Sequence, residues 1–515
     1  MRPKGEFMVT DRTSFLSGSV IRASEERITD EFARKLGYSF ALWLSDKLRT
    51  TPDALTVAVG HDARPGGLRI HKAFMAGLTA ADSDVYDCGL ATTPAMQMSI
   101  ELTDKHICGA CMVTASASEK TVNGFKLFTP DGAIHTEDAV RILELAETVT
   151  VPHRLVKDLD LIDAYGKRLK ALVLEYMNED VALPLLGLHV IVDASCGSAG
   201  FYAGLLASLG ADTDGSFNLE PTADISAALS NPEGAKALDA LSEAVIKYEA
   251  DIGVKFDPDG DRVAIVDRNG KALNRNRLIA LVAAMLLEDE QNLTFVTDSV
   301  TSSGLNRFIT EWGGNHYRYR RGYRNVIDEA RRLSDEGFNV PVAIETSGHA
   351  AMAENYFIDD GVYLATKVIC EAMWRKRDGK SLSSLIDELQ EPVECMEVRL
   401  PIIQEDYKKA AGYVIEAILT TTLTSPEWRL APDNREGVRI LFSLDGGMDN
   451  AWFMLRLSVH DPVIAINAES EIPGGLTYIL NELYAVLEKD NEELDLTPLK
   501  EKIEEINKTE WSDLS

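Results

Sequence analysis

The feature that most restricts the fold is a repeated alternation of short apolar runs with longer helical patterns. LTVAVGH (55–61) is strand-like, and a helix is expected within RIHKAFMAGLTAA (69–81). DVYDCGL (84–90) leads to TTPAMQMSIEL, and ICGACMVTA (107–115) precedes a polar loop. The rhythm restarts at LHVIVDA (188–194) and the helical FYAGLLASLGA. It continues through ADIGVKFD (250–257), a helix over 276–288, TFVTD (294–298), a helix near 325–333 and VPVAIE (340–345). Strand, crossover helix and strand in repetition predict parallel α/β layers.

After about residue 396 a helical stretch (405–419) precedes three closely spaced strand candidates, VRILFSL, AWFMLRLS and PVIAINAE, and a helix near 475–489. That order predicts an α+β domain. The chain's 515 residues exceed what one core serves. Seams near 150, 270 and 395 divide it into α/β domains over 1–150, 151–270 and 271–395 and an α+β domain over 396–515. The charged tail from 488 reads as a solvated helix with a frayed end.

A net charge of −30 argues against a nucleic-acid or membrane binder, which needs a basic face. An anionic substrate would therefore be met by a local cluster of basic groups. The six cysteines follow no disulfide framework, and Cys108 and Cys111, a lone C-x-x-C in an apolar run, read as ordinary buried thiols. MRPKGEFMVTDR has no signal-peptide core, and LIALVAAMLL (278–287) is half a membrane span. The expectation is a cytoplasmic protein, a monomer or small homo-oligomer.

Four loops carry chemistry. Asp257-Pro-Asp259-Gly-Asp261-Arg262 follows an apolar strand, and its three alternate carboxylates can converge on one hard cation. An ordinary surface turn is the plain alternative. Arg262 at the sixth position and Arg268 at the twelfth exclude an EF-hand. Open coordination positions would suit a metal that also touches phosphate.

The second loop runs from Thr114-Ala115-Ser116 to Asn123-Gly124-Phe-Lys126. A serine at a strand end can carry a phosphate, given a nearby cation and a base. Taken alone, it is only a serine in a polar loop. The third is Ile344-Glu345-Thr346-Ser347-Gly348-His349, where Glu345 and Ser347 suit sugar hydroxyls and His349 suits acid–base work or a structural role. The fourth, Arg456 with Ser458 before Asp461-Pro462, suits a phosphate clamp, helped by the basic run RYRRGYR (318–324) with its Arg324. That run also fits a solvated strand edge.

In combination and order these loops resemble the α-D-phosphohexomutase family. Leu16-Ser-Gly-Ser-Val-Ile21-Arg22-Ala is similar to the family's F-G-T-S-G-I-R-G, Gly60-His-Asp62-Ala-Arg64 to G-R-D-x-R, and Gly89-Leu-Ala-Thr-Thr-Pro94 to G-L-x-T-T-P. Asn231-Pro232-Glu233 and Asp360-Gly361 also fall in place. The resemblance implies three similar α/β mixed-sheet domains and a C-terminal α+β domain around a central cleft. It implies a phosphate carried by Ser116, Mg²⁺ held by Asp257, Asp259, Asp261 and that phosphoserine, and Lys126 and Arg22 in catalysis. Sugar selection would fall to Glu345 and Ser347 and a clamp on the distant phosphate to Arg456 and Ser458, with Arg262, His349 and Arg324 completing the substrate-binding residues.

The implied reaction interconverts hexose 1- and 6-phosphates, glucose or mannose, with hexose 1,6-bisphosphate as intermediate and activator. A sugar-phosphate binder without activity and an aspartate-nucleophile phosphatase remain alternatives. The chain departs from the family pattern at Ala117 and Ser118, which replace His and Asn, and at Val459, His460 and Asp461, which replace Gly, Thr and Glu. Ile344 stands where the pattern has Gly.

Overall fold

A computed structural model describes residues 12–102, 105–151, 157–177, 181–222, 231–232, 234–458, 461–490 and 493–512. Glu233, Val459 and His460 lie outside the described residues. The chain forms two compact units, Met1–Leu278 with Ser347–Leu385, and Ile279–Thr346 with Ile386–Ser515.

Among the described residues the first unit holds two whole sheets and the antiparallel pair Ala350–Met352 with Ile358–Asp359. In the larger, Thr56–His61 is central and parallel to both Asp84–Leu90 and Gly109–Val113. Val122–Thr129 adds antiparallel beside Gly109–Val113 and pairs in turn with Val20–Ser24. The last part of the stretch expected to be a polar loop, from Val122 on, is thus a buried strand, whereas 114–121 is loop. The strand's Asn123, Gly124 and Lys126 obscured the apolar pattern, because Lys126 is buried against carboxylates and Asn123 donates to Pro65 O at 2.9 Å rather than facing solvent. The helices Asp30–Leu48 and Gly67–Ala80 cover this sheet with a core that includes Phe40, Phe74 and Phe125. Thr29 caps the first of them by accepting from Phe32 N at 3.1 Å.

In the second sheet Ile252–Phe256 runs parallel to Val190–Asp193 and antiparallel to Val263–Asp267. The two antiparallel strands are buried throughout, so Asp257–Arg262 is a short link between rigid elements. The sheets are therefore mixed where the apolar rhythm alone predicts parallel layers. Two glycines fit neighbouring backbone against this link. A Cβ on Gly361 would lie 2.6 Å from the Arg262 carbonyl carbon, and one on Gly197 would overlap the Pro258 backbone. Gly197→Ala is expected to cost about 2–3 kcal/mol by overpacking and to show as a lower denaturation midpoint. An unchanged midpoint would mean the loop yields freely.

In the second unit Thr294–Asp298 pairs in parallel with Asn315–Tyr319 and Val342–Ile344. The basic run therefore begins on a sheet edge and continues into the helix Tyr323–Asp335. The C-terminal part is an antiparallel sheet ordered Glu394–Pro401, Val463–Ser470, Ala451–Leu457, Val438–Phe442, Arg429–Leu430. Helices Tyr407–Thr422 and Gly475–Asp490 pack on it. The terminal helix Thr497–Ser512 is not simply solvated, since Leu499 and Ile503 are buried in the same core. The fold is α/β with mixed sheets and a further C-terminal α+β domain. Among the described residues no helix is long and apolar enough to cross a membrane.

Candidate active site

The first unit gathers the acidic loop and the serine loop. Asp257, Asp259 and Asp261 are buried, and each offers an oxygen within 4.8 Å of the others. Ser116 Oγ donates to Asp259 Oδ2 at 3.3 Å. Lys126 Nζ lies 2.7 Å from Asp259 Oδ2 and 2.5 Å from Asp261 Oδ2. Arg262 forks onto Asp257 Oδ2 through Nε at 2.9 Å and Nη2 at 2.8 Å. His349 Nδ1 stands 2.7 Å from Asp359 Oδ2 and 3.8 Å from Asp261 Oδ1.

Burial pushes the Asp257 carboxyl well above its ordinary range, against the Arg262 charge and with the two other aspartates. Burial acts the same way on Asp259, but the Lys126 ammonium and hydrogen bonds from Lys126 and Thr93 outweigh it and hold that carboxyl low. For His349, burial favours the neutral ring, yet the Asp359 and Asp261 carboxylates raise it to about 9. At neutral pH His349 is therefore a cation and a donor rather than a ready base.

Four buried carboxylates (Asp257, Asp259, Asp261 and Asp359) thus face three cationic groups, Lys126, Arg262 and His349. Asp259 Oδ1 and Asp261 Oδ1 are buried without a hydrogen-bond partner. Unsatisfied carboxylate oxygens in a cluster with a carboxylate in excess fit a hard divalent cation. A phosphoserine dianion added with such a cation would leave the net charge unchanged.

The serine loop is held by residues far away in sequence. Ser116 adopts a left-handed backbone, φ 52°, a conformation that non-glycine residues keep only when neighbours enforce it. Its N–H donates to Thr114 Oγ1 at 3.0 Å, and Thr114 Oγ1 donates to Asp62 Oδ2 at 2.6 Å. Arg64 is tied to the same Asp62 at 3.1 Å. Its guanidinium donates to the carbonyls of Ser116, Glu119 and Val122. Thr93 fixes the acidic loop from the other side, its N–H donating to Asp259 O at 2.8 Å and its hydroxyl to Asp259 Oδ2 at 2.5 Å.

Asp62, Arg64, Thr93 and Asp359 were not singled out as site residues by sequence, although the first three lie in the quoted G-H-D-A-R and T-T-P stretches. Arg64→Ala is expected to lower turnover about 100-fold through misplacement of the serine while leaving hexose-phosphate KM within about threefold. Wild-type turnover would remove Arg64 from any positioning role. Arg22, paired with Gly124 across the strands, donates through Nη1 to Ser118 Oγ at 3.2 Å. Ser118, which replaces the family's asparagine, thus holds Arg22 near the serine loop. Ser347 is buried in this unit.

The second unit contains the other predicted residues. Glu345 accepts from Gly322 N at 2.6 Å, and Thr346 Oγ1 donates to Asp298 Oδ2 at 2.7 Å. Arg324 is paired with Asp328 one helical turn on, at 2.9 Å. Arg456 is buried at the end of its strand, and Ser458 N donates to Val463 O at 2.9 Å. Cys111 is fully buried, with its thiol pushed well up by burial, and Cys108 donates to Thr56 O. Neither has the low-pKa environment of a reactive thiol.

Models of phosphoglucomutase/phosphomannomutase α/β/α domains I, II and III match residues 14–151, 163–270 and 274–393. The chain belongs to the phosphoglucomutase/phosphomannomutase family. A phosphoglucosamine mutase from Methylobacterium is 30% identical over 388 residues, covering 72% of this chain and 81% of the relative. A phosphoglucomutase/phosphomannomutase from Thermococcus kodakarensis is 29% identical over 458 residues, 87% of this chain and 92% of the relative. A Burkholderia thailandensis family protein of known structure shares the fold, with TM-score 0.78 and 21% identity, over 94% of this chain and 99% of that one. As a family member, the protein is a phosphohexose mutase, an isomerase.

Proposed function

We propose that this mutase moves a phosphoryl group between O1 and O6 of a hexose through phosphoserine at Ser116. The observation that carries the proposal is the Ser116 hydroxyl, held in a left-handed turn 3.3 Å from a buried aspartate of a three-carboxylate cluster. Asp257, Asp259 and Asp261 would hold Mg²⁺. When bound, that ion offsets charge on the transferred phosphoryl group.

The protein's own groups do the rest. Phospho-Ser116 gives its phosphoryl group to the free hydroxyl of the bound monophosphate, forming a 1,6-bisphosphate. The intermediate turns over, and its other phosphate returns to Ser116 Oγ. Lys126, whose Nζ shares Asp259 Oδ2 with the Ser116 hydroxyl, would shuttle a proton near Ser116 and balance Asp259 and Asp261. Arg262 would leave Asp257 to hold phosphoryl oxygens once a metal engages that carboxylate. His349, beside Asp261, and Arg22, held by Ser118 of the serine loop, would add positive charge for the transferred group. Glu345 and Ser347 would choose the sugar, and Arg456 and Ser458 would grip the non-reacting phosphate. Free hexose 1,6-bisphosphate would prime the serine. The four loops divide the chain into domains over 1–150, 151–270, 271–395 and 396–515, one loop each.

Glucose and mannose phosphates are the proposed substrates, and similarity to phosphoglucosamine mutases makes the amino sugar the second reading. The test is turnover of glucose 1-, mannose 1- and glucosamine 1-phosphate with Mg²⁺ and catalytic bisphosphate. Conversion of glucose or mannose 1-phosphate to the 6-phosphate is expected. Conversion of glucosamine 1-phosphate alone would move the assignment to the amino sugar. Release of inorganic phosphate as the main product would overturn the mutase mechanism.

A further inference from the structure

Asp359 takes no part in the proposed phosphoryl transfer, yet it lies inside the site. It is 3% exposed, and its Oδ1 is buried without a hydrogen-bond partner, as is Asp261 Oδ1. A proton on His349 Nδ1 pairs with Asp359 Oδ2 at 2.7 Å but leaves both of those oxygens unsatisfied. A desolvated carboxylate oxygen without a partner is costly. The arrangement therefore favours a ligand that reaches Asp261, His349 and Asp359 together.

Backbone pairing holds the three residues in place. His349 bridges Arg262 in antiparallel fashion, and Val263 N donates to Gly348 O at 3.2 Å. Asp359 is paired with Ala351 across two short strands, and Asp360 N donates to Ala350 O at 2.9 Å. Each of the three offers a donor atom within 4.8 Å of the others. His349 Nδ1 is 2.7 Å from Asp359 Oδ2 and 3.8 Å from Asp261 Oδ1. Both separations lie inside the span of about 4.4 Å open to two donors that each stand about 2.2 Å from one ion. Asp261 also faces two ways. Its Oδ2 meets Lys126 Nζ, which also holds Asp259, while its Oδ1 is turned to His349. One carboxylate can thus serve a cation on each oxygen.

We infer that Asp261 Oδ1, His349 Nδ1 and the Asp359 carboxylate form a second divalent-cation site, which takes Zn²⁺ rather than Mg²⁺ and shares Asp261 with the three-aspartate cluster. The imidazole sets the selectivity, because Mg²⁺ prefers oxygen ligands and Zn²⁺ accepts nitrogen with carboxylate. The ion takes the place of the Nδ1 proton, which leaves to solvent, and gives both carboxylates a partner. Three protein ligands leave a coordination position open to water or a phosphate oxygen. The inference goes beyond the mutase reading, and its test needs no turnover.

Metal-stripped protein is titrated with Zn²⁺ by calorimetry at several saturating Mg²⁺ concentrations. One Zn²⁺ per chain is expected, with an affinity that does not change with Mg²⁺. Asp359→Asn and His349→Gln should each weaken it by more than the about 10- to 100-fold loss that an outer partner gives. Cys395→Ser, which removes an exposed thiol, should bind Zn²⁺ as wild type does. Unchanged binding in both site variants, or loss in Cys395→Ser instead, would overturn the site. So would an affinity that falls in proportion to Mg²⁺, the mark of competition for the three-aspartate cluster. Should the site variants fail to fold, anomalous X-ray diffraction of Zn²⁺-loaded wild type decides. A peak among Asp261, His349 and Asp359 upholds the site, and a peak only among Asp257, Asp259 and Asp261, or none, overturns it.

Discussion

Ser116→Ala is expected to lower kcat by about four orders of magnitude or more, the scale seen when a nucleophile is removed from a unit that acts together. The effect should be confined to chemistry. Ala lacks only the hydroxyl, and the bonds that enforce the left-handed turn come from the Ser116 backbone N–H and carbonyl and remain available. The thermal midpoint should therefore stay near that of wild type, and hexose-phosphate binding should persist. Turnover assays with a melting curve on the same preparation check both points. Substantial residual activity would place the phosphoryl group elsewhere, and a collapsed midpoint would make the serine structural.

The second large effect is expected at Lys126. Its ammonium is the cation between Asp259 and Asp261, and all three groups are buried. Removing one partner from a buried charge network costs about 3–5 kcal/mol, because the remaining charges stay desolvated. Lys126→Met should lose stability of that order without Mg²⁺ and turnover as well. Added Mg²⁺ should restore part of the stability, since an ion that binds only the folded state stabilises it by mass action.

The pH dependence should change sign with the substitution. In the wild type Asp259 is held below its ordinary value, so its contribution is present above the unfolded pKa and is lost as pH falls through the folded one. Without Lys126, burial dominates and raises that carboxyl. The variant should then gain relative stability on acidification where the wild type loses it. Denaturant titrations at several pH values with chelator or Mg²⁺ read all of this. A variant as stable as wild type in chelator would mean that the cluster does not depend on the ammonium.

How much of this was legible in the sequence depends on how local each feature is. The acidic loop was legible because its three carboxylates and turn residues occupy six consecutive positions between apolar strands. Lys126 was legible as a residue but not as part of a strand, because an ammonium and two other polar or small residues in an eight-residue strand do not alternate like a half-buried one. Thr93 and Asp259 meet across 166 positions and Arg64 and Val122 across 58, distances that no local pattern encodes. The terminal helix looked solvated because charge dominates its composition, yet Leu499 and Ile503, four apart, give it the narrow apolar stripe that docks it.

The most direct test of the account is to follow labelled phosphate from hexose 1,6-bisphosphate into the protein and map it by peptide mass spectrometry, with Mg²⁺ and with chelator. Label on Ser116, formed with Mg²⁺ and discharged on adding a hexose monophosphate, is the predicted result. Label on Asp257 or another residue, or turnover without any labelled serine, would contradict it.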